Sequence, residues 1–124
     1  MKTKVLAIDD SKTIRVLLQA TLQDAGFDVV TADDGLEGVA KFAEHDPDVV
    51  ITDINMPNLD GFGVIETLRG EGVNATVPIL VLTTESSAEQ KARARDGGAT
   101  GWIVKPFDDA SLIGVLRRVT GHGF

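Results

Sequence analysis

The sequence contains no cysteine among its 124 residues. This absence excludes disulfide bonds, thiol nucleophiles and cysteine-ligated metal sites. No apolar run is long enough to cross a membrane, and the N-terminus lacks the charged segment followed by an apolar segment that marks a signal peptide. We therefore expect a cytoplasmic protein.

Positive charge is also scarce, because 12 Lys and Arg residues stand against 19 Asp and Glu residues, for a formal net charge of −7. Nucleic-acid binding requires a cationic surface that neutralises phosphates. The small basic groups at residues 91–95 and 117–118 are interpreted as solvated helix faces. The composition argues against direct binding to nucleic acid, and the length fits one domain over residues 1–124.

Apolar, β-branched runs alternate with helix-like segments along the whole chain. Such runs between helices are typical of buried parallel strands, and right-handed crossovers then put helices on both faces of the sheet. The known architecture that fits five strands and five helices is an α/β, flavodoxin-like doubly wound sheet with strand order 2-1-3-4-5. We predict this fold.

The helix-like segments differ in what they offer for burial. The second segment, residues 36–44, is expected to have Asp33 or Asp34 as its N-cap. Its predicted inner face consists of Leu36, Val39, Ala40 and Ala43. The fourth segment, residues 88–96, offers only alanines for burial. The fifth runs to residue 119 with Asp109 as its cap, residues 70–76 are expected to form a loop, and residues 120–124 a frayed tail.

Polar residues stand where four of the apolar runs end. They are Asp9-Asp10, Asp53, Thr83 and Lys105-Pro106. In an open α/β sheet, ligands bind outside the carboxyl ends of the strands. Three carboxylates, one hydroxyl and one amine are therefore expected to converge on one crevice. Such a set can hold a divalent cation and a phosphoryl group together.

Each of these residues also has a simpler interpretation, since Asp10 or Ser11 could cap a helix and Lys105 could form an ordinary salt bridge. However, we expect the carboxylates of Asp9, Asp10 and Asp53 to lie about 4 to 5 Å apart. At that separation each pair would repel by about 3 to 4 kcal/mol at an effective dielectric constant of 20. A cation or a raised carboxyl pKa relieves this repulsion. Mg²⁺ fits because it takes a few carboxylate oxygens, a carbonyl and waters. The proline after Lys105 permits a cis peptide, although most such bonds are trans.

The chain resembles the receiver domains of two-component response regulators over essentially its whole length. The segments that carry the resemblance are residues 5–11, 52–57, 60–61, 82–84 and 103–107. The resemblance implies that Asp53 accepts a phosphoryl group from a histidine kinase. It also implies that Asp10, Asp53 and the main-chain carbonyl of Asn55 hold Mg²⁺, and that Asp9 reaches the metal through water. Thr83 would bind the phosphoryl oxygens in the active state, and Lys105 would pair with them.

Within that family the chain is most similar to the stand-alone chemotaxis regulators. The features that carry this similarity are residues 11–15, Asn55, Glu85 and residues 99–103, and the sequence ends soon after the fifth helix. The similarity implies a monomer whose effector is the flagellar motor switch and whose kinase is of the chemotaxis type. The alternative is a phosphate sink or phosphorelay intermediate. The switch position three residues before the lysine, often Tyr or Phe in the family, is Trp102 here, and an indole is bulkier than those rings.

Two other classes of function fit the sequence less well. A Mg²⁺-dependent phosphatase of the haloacid dehalogenase type needs a second acid two residues after its nucleophile, where this chain has Asn55. A flavin carrier needs a hydroxyl-rich loop after the first strand, where Asp9 and Asp10 would repel a phosphate. We therefore expect a protein that catalyses its own phosphorylation and dephosphorylation and is not a turnover enzyme.

Overall fold

The computed structural model describes residues 2–70, 73–74 and 76–121, which form five strands and five helices in alternation. The strands are β1 (Lys4–Ile8), β2 (Asp28–Ala32), β3 (Val49–Thr52), β4 (Ile79–Thr83) and β5 (Gly101–Val104). The helices are α1 (Lys12–Asp24), α2 (Gly35–His45), α3 (Gly61–Arg69), α4 (Ala88–Gly97) and α5 (Asp109–Val119). Each predicted helix and strand is present, which confirms the α/β class.

The five strands form one sheet in the order β2-β1-β3-β4-β5, and every neighbouring pair is parallel. This is the predicted order. Ile8 at the end of β1 pairs with Thr52 at the end of β3, so the residues that follow these two strands emerge side by side. The topology thus brings Asp9 and Asp53 to one edge of the sheet.

Alternate strand residues point to opposite faces of the sheet and build two separate cores. On β1, Leu6 and Ile8 belong to the core under α2, α3 and α4, whereas Val5 and Ala7 belong to the core under α1 and α5. β1, β3 and β4 are buried along nearly their whole length. This burial fixes the strand ends that carry the polar residues.

The inner face of α2 differs from the prediction. Leu36 is 57% exposed, and the buried residues are Gly35, Gly38 and Phe42. A Cβ atom on Gly38 would overlap the side chain of Ile8, so the glycine lets α2 approach β1 closely. The hydropathy pattern selected the helix face with the alanines, because glycine contributes little hydropathy. The face that packs against β1 is the one with the glycines.

The helix caps agree with the prediction except at α5. Ser11 caps α1 and Asp34 caps α2 through side-chain oxygens that accept main-chain N–H bonds. Asp108, not Asp109, caps α5, because its carboxylate accepts the N–H of Ser111 at 2.9 Å.

Other expectations concern the connections and the chain end. The Lys105–Pro106 peptide is cis. Residues 71–72 and 75 of the expected loop, and residues 122–124 of the expected tail, lie outside the described residues. No helix in the described ranges is long and apolar enough to span a bilayer.

Candidate functional site

Three carboxylates meet at the carboxyl edge of the sheet, as the sequence predicted. Each of Asp9, Asp10 and Asp53 offers an oxygen that lies within 4.8 Å of the other two. Asp9 and Asp53 are 1% and 8% exposed, whereas Asp10 is exposed. The cluster therefore has a buried floor and one open side through which a small ligand can enter.

Lys105 reaches this cluster from the other end of the sequence. Its Nζ atom donates to Asp9 Oδ2 at 2.7 Å and to Asp53 Oδ2 at 2.8 Å. The ammonium group thus bridges the two buried carboxylates through two salt bridges. Asp10 forms no salt bridge with any of the described residues.

Burial and charge act in opposite directions on these groups. Burial raises the pKa of the Asp9 carboxyl above its usual value, although the hydrogen bonds from Lys105 and Ser11 oppose this effect. Burial alone would lower the pKa of Lys105, but its hydrogen bonds to Asp53 and Asp9 outweigh it, and the pKa of Lys105 is raised. Lys105 therefore stays protonated and keeps its charge beside the two buried carboxylates.

Main-chain contacts hold the two buried carboxylates in position. Asp9 Oδ1 accepts the N–H of Ser11 at 2.9 Å, and Asp53 Oδ1 accepts the N–H of Ile54 at 2.6 Å. Arg15 donates from Nη1 to the main-chain oxygen of Asp9 at 2.7 Å. These contacts hold both carboxylates directly after two buried strands, and a reactive or metal-binding group requires such fixed positions.

Thr83 and Asn55 lie beside the cluster but are linked to another residue, Glu85. Thr83 is fully buried at the end of β4, and its hydroxyl accepts the N–H of Glu85 at 3.3 Å. Asn55 is exposed and donates from Nδ2 to Glu85 Oε1 at 3.2 Å. The structure thus brings all predicted site residues to one edge of the sheet, with Glu85 between them and α4.

Trp102 joins the same group through a contact that the sequence did not reveal. Its indole Nε1 donates to the main-chain oxygen of Glu85 at 3.0 Å, and its ring packs against the core under α2, α3 and α4. The acceptor is a backbone atom, so no residue type at position 85 could have indicated this bond. The side chain is partly buried.

Comparisons with known proteins agree with this geometry. The family model described as the response regulator receiver domain matches residues 5–117. The chain is similar to the solved structure of the Vibrio cholerae chemotaxis protein CheY4, with 47% sequence identity and a TM-score of 0.91. The match covers 96% of this chain and 99% of that one.

The curated relatives of the chain have varied names. Protein PilG of Pseudomonas aeruginosa is 35% identical over 92% of this chain and 84% of its own length. A probable transcriptional regulator, ycf27 of Porphyridium aerugineum, is 41% identical over 95% of this chain. The chain spans about half the length of that regulator, 50%.

The acidic cluster also has the character of the family's metal site, since receiver domains generally bind Mg²⁺ in an acidic pocket and the histidine kinase is their phosphoryl donor. The fold, the converging strand ends and the match over residues 5–117 lead to one assignment. The chain belongs to the receiver domain family of two-component response regulators.

Proposed function

We propose that residues 1–124 act as one cytoplasmic, monomeric receiver in which Asp53 accepts a phosphoryl group from a histidine kinase. The observation that carries this proposal is the bridge from Lys105 to Asp9 and Asp53, at 2.7 and 2.8 Å, within a cluster of three carboxylates. An oxygen of Asp53 attacks phosphorus, the bond from phosphorus to the imidazole nitrogen breaks, and the imidazole takes a proton. The product is an acyl phosphate, which water hydrolyses later.

Mg²⁺ is the cofactor that this donor set fits best. Carboxylate oxygens that converge within 4.8 Å suit a hard cation, and an octahedral ion completes its shell with waters and a main-chain carbonyl. Asp10 and Asp53 would bind the ion directly with the carbonyl of Asn55, and Asp9 through water. When bound, the ion neutralises charge on the phosphoryl oxygens.

Lys105 and Thr83 supply the remaining donors. Lys105 already faces Asp53 and would pair with a phosphoryl oxygen in place of part of its present contact. Thr83 would turn its hydroxyl toward the same group and leave the N–H of Glu85, which it now accepts. This exchange of partners would carry the phosphorylation state to α4.

The effector that we propose is the flagellar motor switch, with a chemotaxis kinase as the donor. The support is the similarity to CheY4, which extends over 99% of that chain. A switch of this kind changes its surface and is not a turnover enzyme. The test is binding of the phosphorylated form to a motor-switch peptide. Phosphorylation without any gain in binding would favour the phosphate-sink or phosphorelay alternative.

The acceptor is tested by Asp53→Asn. This variant should lose all covalent labelling by a phosphorylated histidine kinase or by a small acyl-phosphate donor, because an amide oxygen cannot form the acyl phosphate. Mass spectrometry of the intact protein measures the added phosphoryl group. Asp60→Asn is the matched control, since Asp60 caps α3 and asparagine is an equally good cap. Labelling of the Asp53 variant at the wild-type level would refute the assignment.

A further inference from the structure

A groove lies between α3 and α4, away from the crevice that holds Asp9, Asp10 and Asp53. The groove has a volume of about 370 Å³, within the range of small-molecule sites. Its lining residues are Phe62, Ile65, Glu66, Arg69, Gly70, Arg93 and Gly97. None of the residues that we assign to phosphorylation is among them.

Arg93 contacts the ring of Phe62, another lining residue of this groove. Its guanidinium carbon is 3.9 Å from the centre of the Phe62 ring. Within the described ranges, the arginines whose side chains donate hydrogen bonds are Arg15, Arg69 and Arg117, so the guanidinium of Arg93 is held by its ring contact. Stacking on one face leaves the other face of the guanidinium plane and its N–H edge for a ligand.

Arg69 supplies a second guanidinium to the lining of the groove. Its Nε and Nη2 atoms donate to the main-chain oxygen of Gly98 at 3.1 and 2.9 Å, and its Nη1 atom donates to the oxygen of Asn74 at 3.3 Å. These contacts use three of the five guanidinium hydrogens and bring no negative charge. Partial burial lowers the pKa of Arg69 below its usual value.

The charge of the groove is opposite to that of the chain. In a protein of net charge −7, no carboxylate oxygen of the described residues lies within 4.0 Å of the guanidinium nitrogens of Arg69 or Arg93. Arg69 is partly buried and Arg93 is exposed, so an anion gains more from its contact with Arg69 than from its contact with Arg93. The groove therefore offers two cationic forks and one stacking plane.

We propose that this groove binds a nucleoside monophosphate. The phosphate accepts hydrogen bonds from the unused N–H groups of Arg69 and from the edge of Arg93. The base stacks on the outer face of Arg93, whose inner face rests on Phe62, because bases stack readily on guanidinium planes. Glu66 stands at the rim and repels the phosphate, which keeps the affinity modest.

The test is a titration of the metal-free protein with AMP, GMP, CMP and UMP. Calorimetry measures the binding, and amide chemical shifts locate the residues that bind. Without metal, Lys105 is the cation of the crevice among the described residues, and it is already paired with Asp9 and Asp53, so the crevice does not attract an anion. We expect saturable binding at millimolar concentration by at least one nucleotide, with shifts confined to residues 62–70 and 93–98. Shifts centred on residues 9–10 and 53–55 instead would overturn the proposal.

Variants separate this site from general charge attraction. Arg93→Ala should weaken binding at least tenfold and Arg93→Lys at least threefold, because lysine keeps the charge and loses the plane. Arg95→Ala is the matched control, since Arg95, like Arg93, is an exposed cation of α4 but does not line this groove, and binding should change less than twofold. Glu66→Gln should tighten binding, an opposite sign that loss of folding cannot imitate.

Three outcomes would each refute the site. The first is equal weakening by Arg93→Ala and Arg95→Ala when both variants unfold at the wild-type urea concentration. The second is binding of inorganic phosphate as tight as that of the best nucleotide, because the stacking plane would then contribute nothing. The third is no saturable binding by any of the four nucleotides.

Discussion

α3 and α4 follow adjacent strands and pack side by side on the same face of the sheet, yet they are held very differently. α3 buries Val64, Ile65 and Leu68, whereas the only buried residue of α4 is Ala94. Full burial of a large aliphatic side chain contributes about 1.5 to 3 kcal/mol. The difference in apolar stabilisation between the two helices is therefore several such contributions.

The loops that lead into these helices differ in the same way. Gly61 at the start of α3 donates its N–H to Ile54 at 2.9 Å, and a Cβ atom there would overlap the main chain of Asp53. The loop before α4 is held instead by polar contacts to Glu85 from Thr83, Asn55 and Trp102. Asp53 thus adjoins the tightly packed loop before α3, whereas polar contacts hold the loop before α4.

The largest effect should come from truncating the core under each helix. Leu68→Ala in α3 should lower the free energy of unfolding by about 3 kcal/mol, because it empties a fully buried site. Ala94→Gly in α4 should cost about 1 kcal/mol, mostly from helix propensity. Urea unfolding measures both. Equal losses would mean that α4 is as firmly packed as α3, and the contrast would be lost.

The next effect concerns the repulsion among the carboxylates of Asp9, Asp10 and Asp53, which destabilises the metal-free fold. Mg²⁺ at a concentration 100 times its Kd should stabilise the wild type by about 2.7 kcal/mol, since it binds only the folded state. Asp10→Ala should raise the stability of the metal-free protein, because it removes repulsion from Asp9 and Asp53, and should abolish most of the Mg²⁺ effect. Thermal melts with and without Mg²⁺ measure both.

Asp24→Ala is the control for this experiment, because Asp24 is an exposed carboxylate at the end of α1, outside the cluster. Its melting temperature should respond to Mg²⁺ as the wild type does. Equal Mg²⁺ shifts in the wild type and in the Asp10 variant would show that the cluster is not the metal site.

The sequence predicted the crevice well because polar residues interrupt buried strands at recognisable points. Asp9 and Asp53 come directly after β1 and β3, and the parallel order brings them together. It predicted α2 poorly. The packed face consists of Gly35, Gly38 and Phe42, and the two glycines have no side chain for a hydropathy pattern to detect.

Contacts with backbone oxygens were also beyond prediction. The indole of Trp102 bonds to the carbonyl of Glu85, and the guanidinium of Arg69 bonds to that of Gly98. Every residue has a carbonyl, so the sequence does not indicate which one accepts. Such contacts follow from the path of the chain in three dimensions and become visible only with the fold.

A smaller effect should appear in amide exchange. Local opening of α4 exposes little apolar surface, so its amides should exchange at least about tenfold faster than those of α3, which corresponds to about 1.4 kcal/mol. A phosphoryl mimic with Mg²⁺ should change the exchange of α4 and leave that of α3 unaltered. Hydrogen exchange followed by NMR or mass spectrometry measures this. Equally slow exchange in both helices, unchanged by the mimic, would contradict a movable α4.

The smallest effect is expected at Trp102, the only tryptophan and therefore a clean fluorescent probe. Its Nε1 atom bonds to the oxygen of Glu85, whose N–H bonds in turn to the hydroxyl of Thr83. If Thr83 turns toward a phosphoryl group on Asp53, the loop at Glu85 loses one contact and the environment of the indole changes. A phosphoryl mimic with Mg²⁺ should therefore shift the emission of Trp102.

Two variants decide how this shift arises. Thr83→Ala should blunt it, because the hydroxyl that transmits the change is gone, whereas Thr84→Ala, an exposed neighbour, should preserve it. Trp102→Ala should keep phosphorylation at Asp53 and weaken binding to the motor-switch peptide, because the indole lies outside the crevice and lines a groove with Lys91 and Arg95. Normal peptide binding by that variant would mean that the indole serves only as packing for the core under α2, α3 and α4.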